Sequence, residues 1–276
     1  MANHPFHDPI DELALATRLV DARLGARALA LYPGPQPQSL DEGYRVQDRA
    51  IALWDRPLAG WKVGRIPEQW ERVLGEERLV GPIFADAVQR VATGQSGRFA
   101  IIRDGFAAVE AEYVFTLRDD APADKTEYSA AEAASLVDSL SVGVELAGSP
   151  LPLINILGPA VVVSDFGNNS GLILGPRIED WQRIDDAELV CETFIDDRSV
   201  GRGGSASIPG GLLAALRFAL ARCARRGYPL KAGMHIATGA TTGIHDIVAG
   251  QRSRVDFGRW GSVLCETMAA TDPRNA

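Results

Sequence analysis

Glu110, Glu112 and Glu145 are the residues whose types and spacing point most directly to chemistry. Side chains alternate across a β-strand, so Glu110 and Glu112, two residues apart, share one face. Val109, Ala111, Tyr113 and Phe115 take the other. Glu145 stands in a second run of this kind, where Val142, Val144 and Leu146 form the apolar face. Three carboxylates on two strands, each backed by an apolar stripe, can converge on one hard divalent cation. Oxygen ligands in that number suit Mg2+ or Mn2+, with positions left for water and substrate. The competing reading is plainer: glutamates alternating along a strand form a solvated face.

Lys62 sits midway along the short apolar run Gly60-Trp-Lys-Val-Gly64, an odd choice for a core position. It reads either as a charge that blunts an exposed strand edge, or as an ammonium beside a bound anion. In the second case burial lowers its pKa and lets it shuttle a proton. Two polar, glycine-bounded loops accompany it, Val163 to Gly171 and Thr238 to Gly243. Asp and Asn in such loops are turn formers first, but loops on a rigid scaffold also supply substrate contacts. The amides and hydroxyls of the second loop can hold a carboxylate.

Other chemistries lack their signatures. The four histidines, His4, His7, His235 and His245, stand at no metal-box spacing, and no Gly-x-Ser-x-Gly elbow occurs. Neither a Gly-x-Gly-x-x-Gly after a strand nor a phosphate-binding Walker loop is present, and Gly201-Arg-Gly-Gly204 reads as a flexible turn. A net charge of −8 argues against nucleic-acid binding, and the cluster Arg217 to Arg226 reads as a solvated helix face. No apolar stretch is long enough to span a membrane, and the N-terminal residues carry no leader pattern. Cys191, Cys223 and Cys265, odd in number and widely spaced, fit buried free thiols in a reducing compartment. The expectation is a cytoplasmic protein.

The elements that must position these residues follow from periodicity. With 46% apolar and 23% charged residues, 276 residues can build a sizeable core. Asp8 before Pro9 predicts a helix start, with Leu13, Thr17, Val20, Leu24 and Leu31 at helical spacing. Ser39 with Glu42 predicts a second helix towards Trp54, and Ser129 with Glu132 another leading into the Glu145 strand. A helix is also predicted over Pro209 to Arg226, ended by Gly227. Between them lie short β-like runs, among them Ala160 to Val163, Gly171 to Leu174 and Glu188 to Ile195, with Asp196-Asp197-Arg198 as a hairpin turn. The pattern predicts an α+β fold: a curved mixed β-sheet roll with a helical N-terminal segment. That segment covers 1–58 and the β-roll catalytic domain 59–276, as one compact unit.

Taken together, Gly60-Trp-Lys-Val-Gly64, Gly81-Pro82, Val109-Glu-Ala-Glu-Tyr-Val-Phe115, Val144-Glu145, Leu230 to Gly239 and Asp256-Phe-Gly258 form a wider pattern. In order and spacing they resemble the fumarylacetoacetate hydrolase superfamily, and within it the 2-keto-4-pentenoate hydratase and 4-oxalocrotonate decarboxylase branch. The resemblance runs from about Asp41 to Glu266. It implies Glu110, Glu112 and Glu145 as ligands of Mg2+ or Mn2+ and Lys62 as the catalytic residue beside the substrate. It further implies Asp165, Ser170, Thr238 and Gly239 as substrate-binding members of the pocket, and a homo-oligomer, with association to a paralogous pathway enzyme as an option. Two loops depart from the family pattern: Asp165-Phe-Gly-Asn-Asn-Ser170 replaces Asp-Asn-x-Ser, and Thr238-Gly239-Ala240 replaces Thr-Gly-Thr. Both bear on the substrate more than on the metal.

The implied reaction starts from a 2-oxo acid chelated through its carboxylate and C2 carbonyl, with the metal stabilising an enolate. A hydratase ketonises a 2-hydroxy-2,4-dienoate and adds water at C4. A decarboxylase of the 4-oxalocrotonate type uses the same electron sink. An acylpyruvate hydrolase needs a base as well, and hydrolases resembling this chain carry a His/Glu pair that is absent here, no histidine falling between His7 and His235. A sugar-acid dehydratase and a non-catalytic partner subunit are the remaining readings; the presence of all three glutamates and Lys62 argues against the last. The sequence favours the hydratase.

Overall fold

The computed structural model describes residues 10–272. Helix α1 (Glu12–Leu24) is capped by Asp11, whose side chain accepts from the Ala14 amide at 3.0 Å and satisfies one of the donors the first turn leaves open. The cap expected at Asp8 with Pro9 lies outside the described residues. The helix ends at Gly25, and Leu31, expected on it, is 81% exposed in the connector that follows. Helix α2 (Leu40–Trp54) starts where Ser39 predicts, its hydroxyl accepting from the Glu42 amide. Leu15, Leu19 and Val20 of α1 are buried, each worth about 1.5–3 kcal/mol of apolar transfer.

The chain then runs through β1 (Leu58–Arg65), α3 (Glu68–Leu74), β2 (Arg78–Phe84), β3 (Val88–Arg90), β4 (Ser96–Ile101), β5 (Phe106–Leu117), α4 (Ala130–Ser135) and β6 (Val137–Ser149). It continues with α5 (Ile154–Leu157), α6 (Pro159–Ser164), β7 (Asn169–Ile178), β8 (Val190–Ile195), β9 (Arg198–Gly204) and α7 (Leu212–Arg225). The last strands are β10 (His235–Ala237), β11 (His245–Asp246), β12 (Arg252–Asp256) and β13 (Ser262–Ala269).

Eight strands make one mixed, strongly curled sheet in the order β2-β1-β10-β5-β6-β7-β3, with β11 added to β5. The second sheet has the order β4-β13-β12-β8-β9, and β13 packs on β6 and β7. This is the curved α+β architecture that the alternating runs and few helices predict. The two central strands, β5 and β6, are apolar enough to be buried on both faces over most of their length. One apolar cluster extends from Leu15 in α1 to Cys265 in β13. A smaller one, Ile83, Val114, Leu172, Leu174 and Ala237, includes Val114, two residues from Glu112 and on its face.

Two local readings are corrected. Ala160 to Val163, expected as a strand, forms helix α6: Pro159 occupies its first turn and its valines are buried in packing against α2. Gly201 to Gly204 is not a turn but the end of β9, paired in register with β8. The Asp196-Asp197 turn does join β8 to β9, with φ of +46° and +63°; these left-handed values match the twist of a two-residue hairpin. All three cysteines are buried and free. Among the described residues, no helix is long and apolar enough to cross a membrane.

Candidate active site

Glu110 and Glu145 are register partners across the antiparallel β5–β6 pair, and Glu112 follows on the same face of β5. This is not a solvated face: the three are 3%, 0% and 0% exposed. Each offers one oxygen to a cluster whose atoms lie within 4.8 Å of one another. Some of their oxygens have protein partners. Glu112 Oε2 accepts from the Gly239 amide at 2.7 Å, and Glu145 Oε1 accepts from Asn169 Nδ2 at 3.1 Å. Glu110 Oε1, Glu112 Oε1 and Glu145 Oε2 are buried with none.

Such burial is costly for a charge. It pushes the Glu110 carboxyl up to about 7, with Lys62 pulling it down and Glu145 pushing further up. Burial and the two neighbouring carboxylates raise Glu112 well above the ordinary range. Fully ionised, the three carboxylates would carry two more charges than the ammonium of Lys62 offsets. Three unpartnered oxygens and a deficit of two positive charges fit a divalent, oxygen-seeking cation.

Lys62 lies on β1, which is flanked by β2 and β10, so it does not guard a sheet edge. It is buried, with Nζ 3.4 Å from Glu145 Oε1 and donating to Asn168 Oδ1 at 3.3 Å. Burial by itself disfavours the ammonium, but the charges of Glu145, Glu110 and Glu112 outweigh it and hold the pKa above the ordinary lysine value. The lowered pKa expected from burial is thus reversed by the carboxylates it faces.

A cavity of about 270 Å³ opens against this cluster. Lys62, Glu110, Asn155, Asn168, Thr238 and Gly239 supply its polar wall, Leu79, Val162 and Ile208 its apolar wall, and Arg65, Arg78 and Trp70 also line it. Thr238 Oγ1 donates to the Tyr113 carbonyl at 2.7 Å. The loop expected to bind an anion therefore spends one amide, that of Gly239, on the internal carboxylate of Glu112.

Asp165 and Ser170 are not brought to the cavity. Asp165 is 1% exposed and takes Arg23 Nε at 2.5 Å and Ser149 Oγ at 2.5 Å. Ser170 accepts from Arg23 Nη1 at 3.3 Å. Their loop reaches the site through Asn168 and Asn169 instead. Spacing in the sequence does not single out Asn168 and Asn169 within that loop. A signal for Arg23 existed: it stands four residues after Leu19 and three after Val20, continuing the buried stripe of α1.

No protein-family model matches the chain, and neither does any curated protein. Solved structures do. The 4-oxalocrotonate decarboxylase from Pseudomonas putida G7, complexed with calcium and acetate, shares 20% identity over 93% of this chain and 97% of its own, with a TM-score of 0.76. Fumarylpyruvate hydrolase from Pseudomonas aeruginosa, in complex with Mn2+ and pyruvate, shares 16% over 76% and 89%, with a TM-score of 0.55. A 5-carboxymethyl-2-hydroxymuconate delta-isomerase from Mycobacterium smegmatis shares 13% over 78% and 81%, with a TM-score of 0.53. The chain has the fold that these structures share, the curled α+β roll that the resemblance implies.

Proposed function

We propose that this chain is a divalent-metal-dependent lyase for a small 2-oxo acid, a hydratase that adds water to a 2-hydroxy-2,4-dienoate of the 2-oxo-4-pentenoate type. The observation that carries the reading is the buried convergence of Glu110, Glu112 and Glu145 beside Lys62, with Glu110 and Lys62 lining an apolar-backed cavity. Glu110, Glu112 and Glu145 would hold Mg2+ or Mn2+. When bound, the cation supplies a Lewis acid for the carboxylate and C2 carbonyl oxygens of the substrate and so favours enolisation.

The chain's own groups do the rest. Lys62 Nζ, held by Asn168, presents a proton to the end of the conjugated tail that ketonises and orients the water that adds at C4. Leu79, Val162 and Ile208 pack a flat, conjugated tail and keep bulk water from the enol. Gly239 fixes one oxygen of Glu112, and Asn169 one oxygen of Glu145, so that the remaining oxygens face a common point.

A second reading, decarboxylation of a vinylogous dicarboxylate, has one observation in its favour. Arg65 lines the cavity and makes no ion pair or side-chain hydrogen bond among the described residues, which suits a second carboxylate on the substrate. The deciding test is ultraviolet-monitored turnover of 2-hydroxypenta-2,4-dienoate by the purified protein with Mg2+, Mn2+ or EDTA. Metal-dependent loss of the dienol absorbance with formation of 4-hydroxy-2-oxopentanoate supports the hydratase. Inertness towards this compound together with turnover of 4-oxalocrotonate replaces it with the decarboxylase, and inertness towards both removes the lyase reading.

A further inference from the structure

We infer that Arg23, at the end of the N-terminal helix, is the positioning residue that holds the turn presenting Asn168 to Lys62 and Asn169 to Glu145. The inference rests on the metal-site reading above for its consequence, though not for its geometry.

The turn needs holding. Phe166, Gly167 and Asn168 have φ of +56°, +62° and +57°, three successive residues in the left-handed region, two of them not glycine. Side chains disfavour that region, and such conformations persist where the surroundings over-determine them. There is no slack on the sheet side: a Cβ on Gly81 of β2 would stand 2.2 Å from the Phe166 carbonyl oxygen. On the other side stands Arg23, its side chain 7% exposed. Its Nε donates to Asp165 Oδ1 at 2.5 Å, Nη1 to the Asn169 carbonyl at 3.1 Å, and Nη2 to the carbonyls of Gly148 at 2.8 Å and Asp165 at 3.2 Å. The guanidinium also lies 5.1 Å from the centre of the Phe166 ring. One planar group thus grips the residue before the turn, a ring within it, the residue after it and the end of β6. A guanidinium offers five donors in a fixed fork, which no other side chain does.

What the turn delivers is the inner face of the site. Asn168 accepts from Lys62 Nζ and donates to Asn155, and Asn169 donates to Glu145. Arg23 touches none of Lys62, Glu110, Glu112 or Glu145 through a hydrogen bond or ion pair; its contacts are with the turn and the end of β6.

The experiment compares wild type, Arg23→Gln and Leu19→Ala, the last loosening the same helix one turn earlier without touching the fork. Amide hydrogen exchange over residues 165–170 is followed in EDTA, and Mn2+ affinity is measured by calorimetry with Mn2+ alone, well below each melting temperature. Arg23→Gln is expected to speed exchange in that segment at least tenfold and to weaken Mn2+ binding at least tenfold, while Leu19→Ala lowers the melting temperature and leaves both within about twofold of wild type. Unchanged exchange in Arg23→Gln overturns the inference, as do faster exchange with wild-type Mn2+ affinity and equal effects of the two substitutions. If Arg23→Gln does not fold, Asp165→Asn, of the same size, carries the same criteria. Absence of Mn2+ binding in the wild type removes the metal reading and leaves exchange to decide whether Arg23 holds the turn.

Discussion

The carboxylates of Glu110 and Glu145 stand side by side on adjacent strands because the two residues are register partners, and both are buried. Like charges placed this way, with Glu112 beside them, oppose folding unless something positive intervenes. Lys62 supplies one charge of three.

Stability should therefore depend on a divalent cation. Saturation with Mn2+ at about a hundredfold over its Kd stabilises by about 2.7 kcal/mol, or about 5 °C in melting temperature for a chain of this size. EDTA should reverse the shift. Glu112→Gln should abolish it, because the substitution removes a ligand charge, and should raise the melting temperature in EDTA, because it relieves repulsion. Differential scanning fluorimetry reads both; a Glu112→Gln protein with the full wild-type Mn2+ shift would contradict the site.

Lys62→Met should cut turnover by about 10²–10⁴, the usual range for losing a proton-transfer group, while the protein stays folded by circular dichroism. Removing the ammonium also withdraws a positive charge from the three glutamates, so Mn2+ binding should hold or tighten. Retained turnover would take Lys62 out of the mechanism.

Arg65 separates the two lyase readings. For a dicarboxylate, Arg65→Met should raise KM about tenfold or more, the worth of one charge-assisted contact of about 1.5–3 kcal/mol. For a monocarboxylate dienol, KM should stay within a factor of two. Steady-state kinetics on both substrates decides between them.

His235 gives a pH dependence whose sign is fixed by its neighbours. Arg90 Nη2 lies 3.2 Å from Nε2 and can only donate, so Nε2 accepts and the proton sits on Nδ1, 3.0 Å from the Thr116 hydroxyl. Burial first, and the Arg90 charge second, push the imidazole down to about 4. Its folded pKa is thus below the unfolded value, so the unfolded chain takes up the proton first as the pH falls. Stability from this residue is complete above about pH 6.5 and is lost as the pH drops towards 4, by about 2 kcal/mol at pH 5. Urea titrations of wild type and His235→Gln at pH 7.5 and pH 5 should show the larger acid-side loss in the wild type; equal losses would remove the assignment.

The sequence made some of this legible and hid the rest for identifiable reasons. Glu110, Glu112 and Glu145 could be found because a strand has a period of two, so spacing alone puts the first two on one face. Ser39 and Ser129 marked helix starts correctly because caps act locally. Ala160 to Val163 misled because a short apolar run rich in β-branched residues has no decisive period; Pro159 and packing on α2 decided it as a helix. The family resemblance puts Asp165 and Ser170 at the pocket, yet the side chain that claims them, Arg23, lies far away in the chain. Nor can spacing report that the carboxylates around Lys62 outweigh its burial.

Strand β10 enters the sheet between β1 and β5, both of which precede it in the chain by more than a hundred residues. During synthesis, then, Lys62 and the three glutamates belong to separate half-sheets, and the inner edges of β1 and β5 wait unpaired. Pairing of His235–Ala237 closes those edges into one sheet and brings Gly239 to Glu112. The closing strand is three residues long, and pairing over such long separations is slow. A nascent chain stalled before that strand holds all three glutamates and the lysine without the strand that joins their sheets, and it offers two open edges to any neighbour that can pair with them.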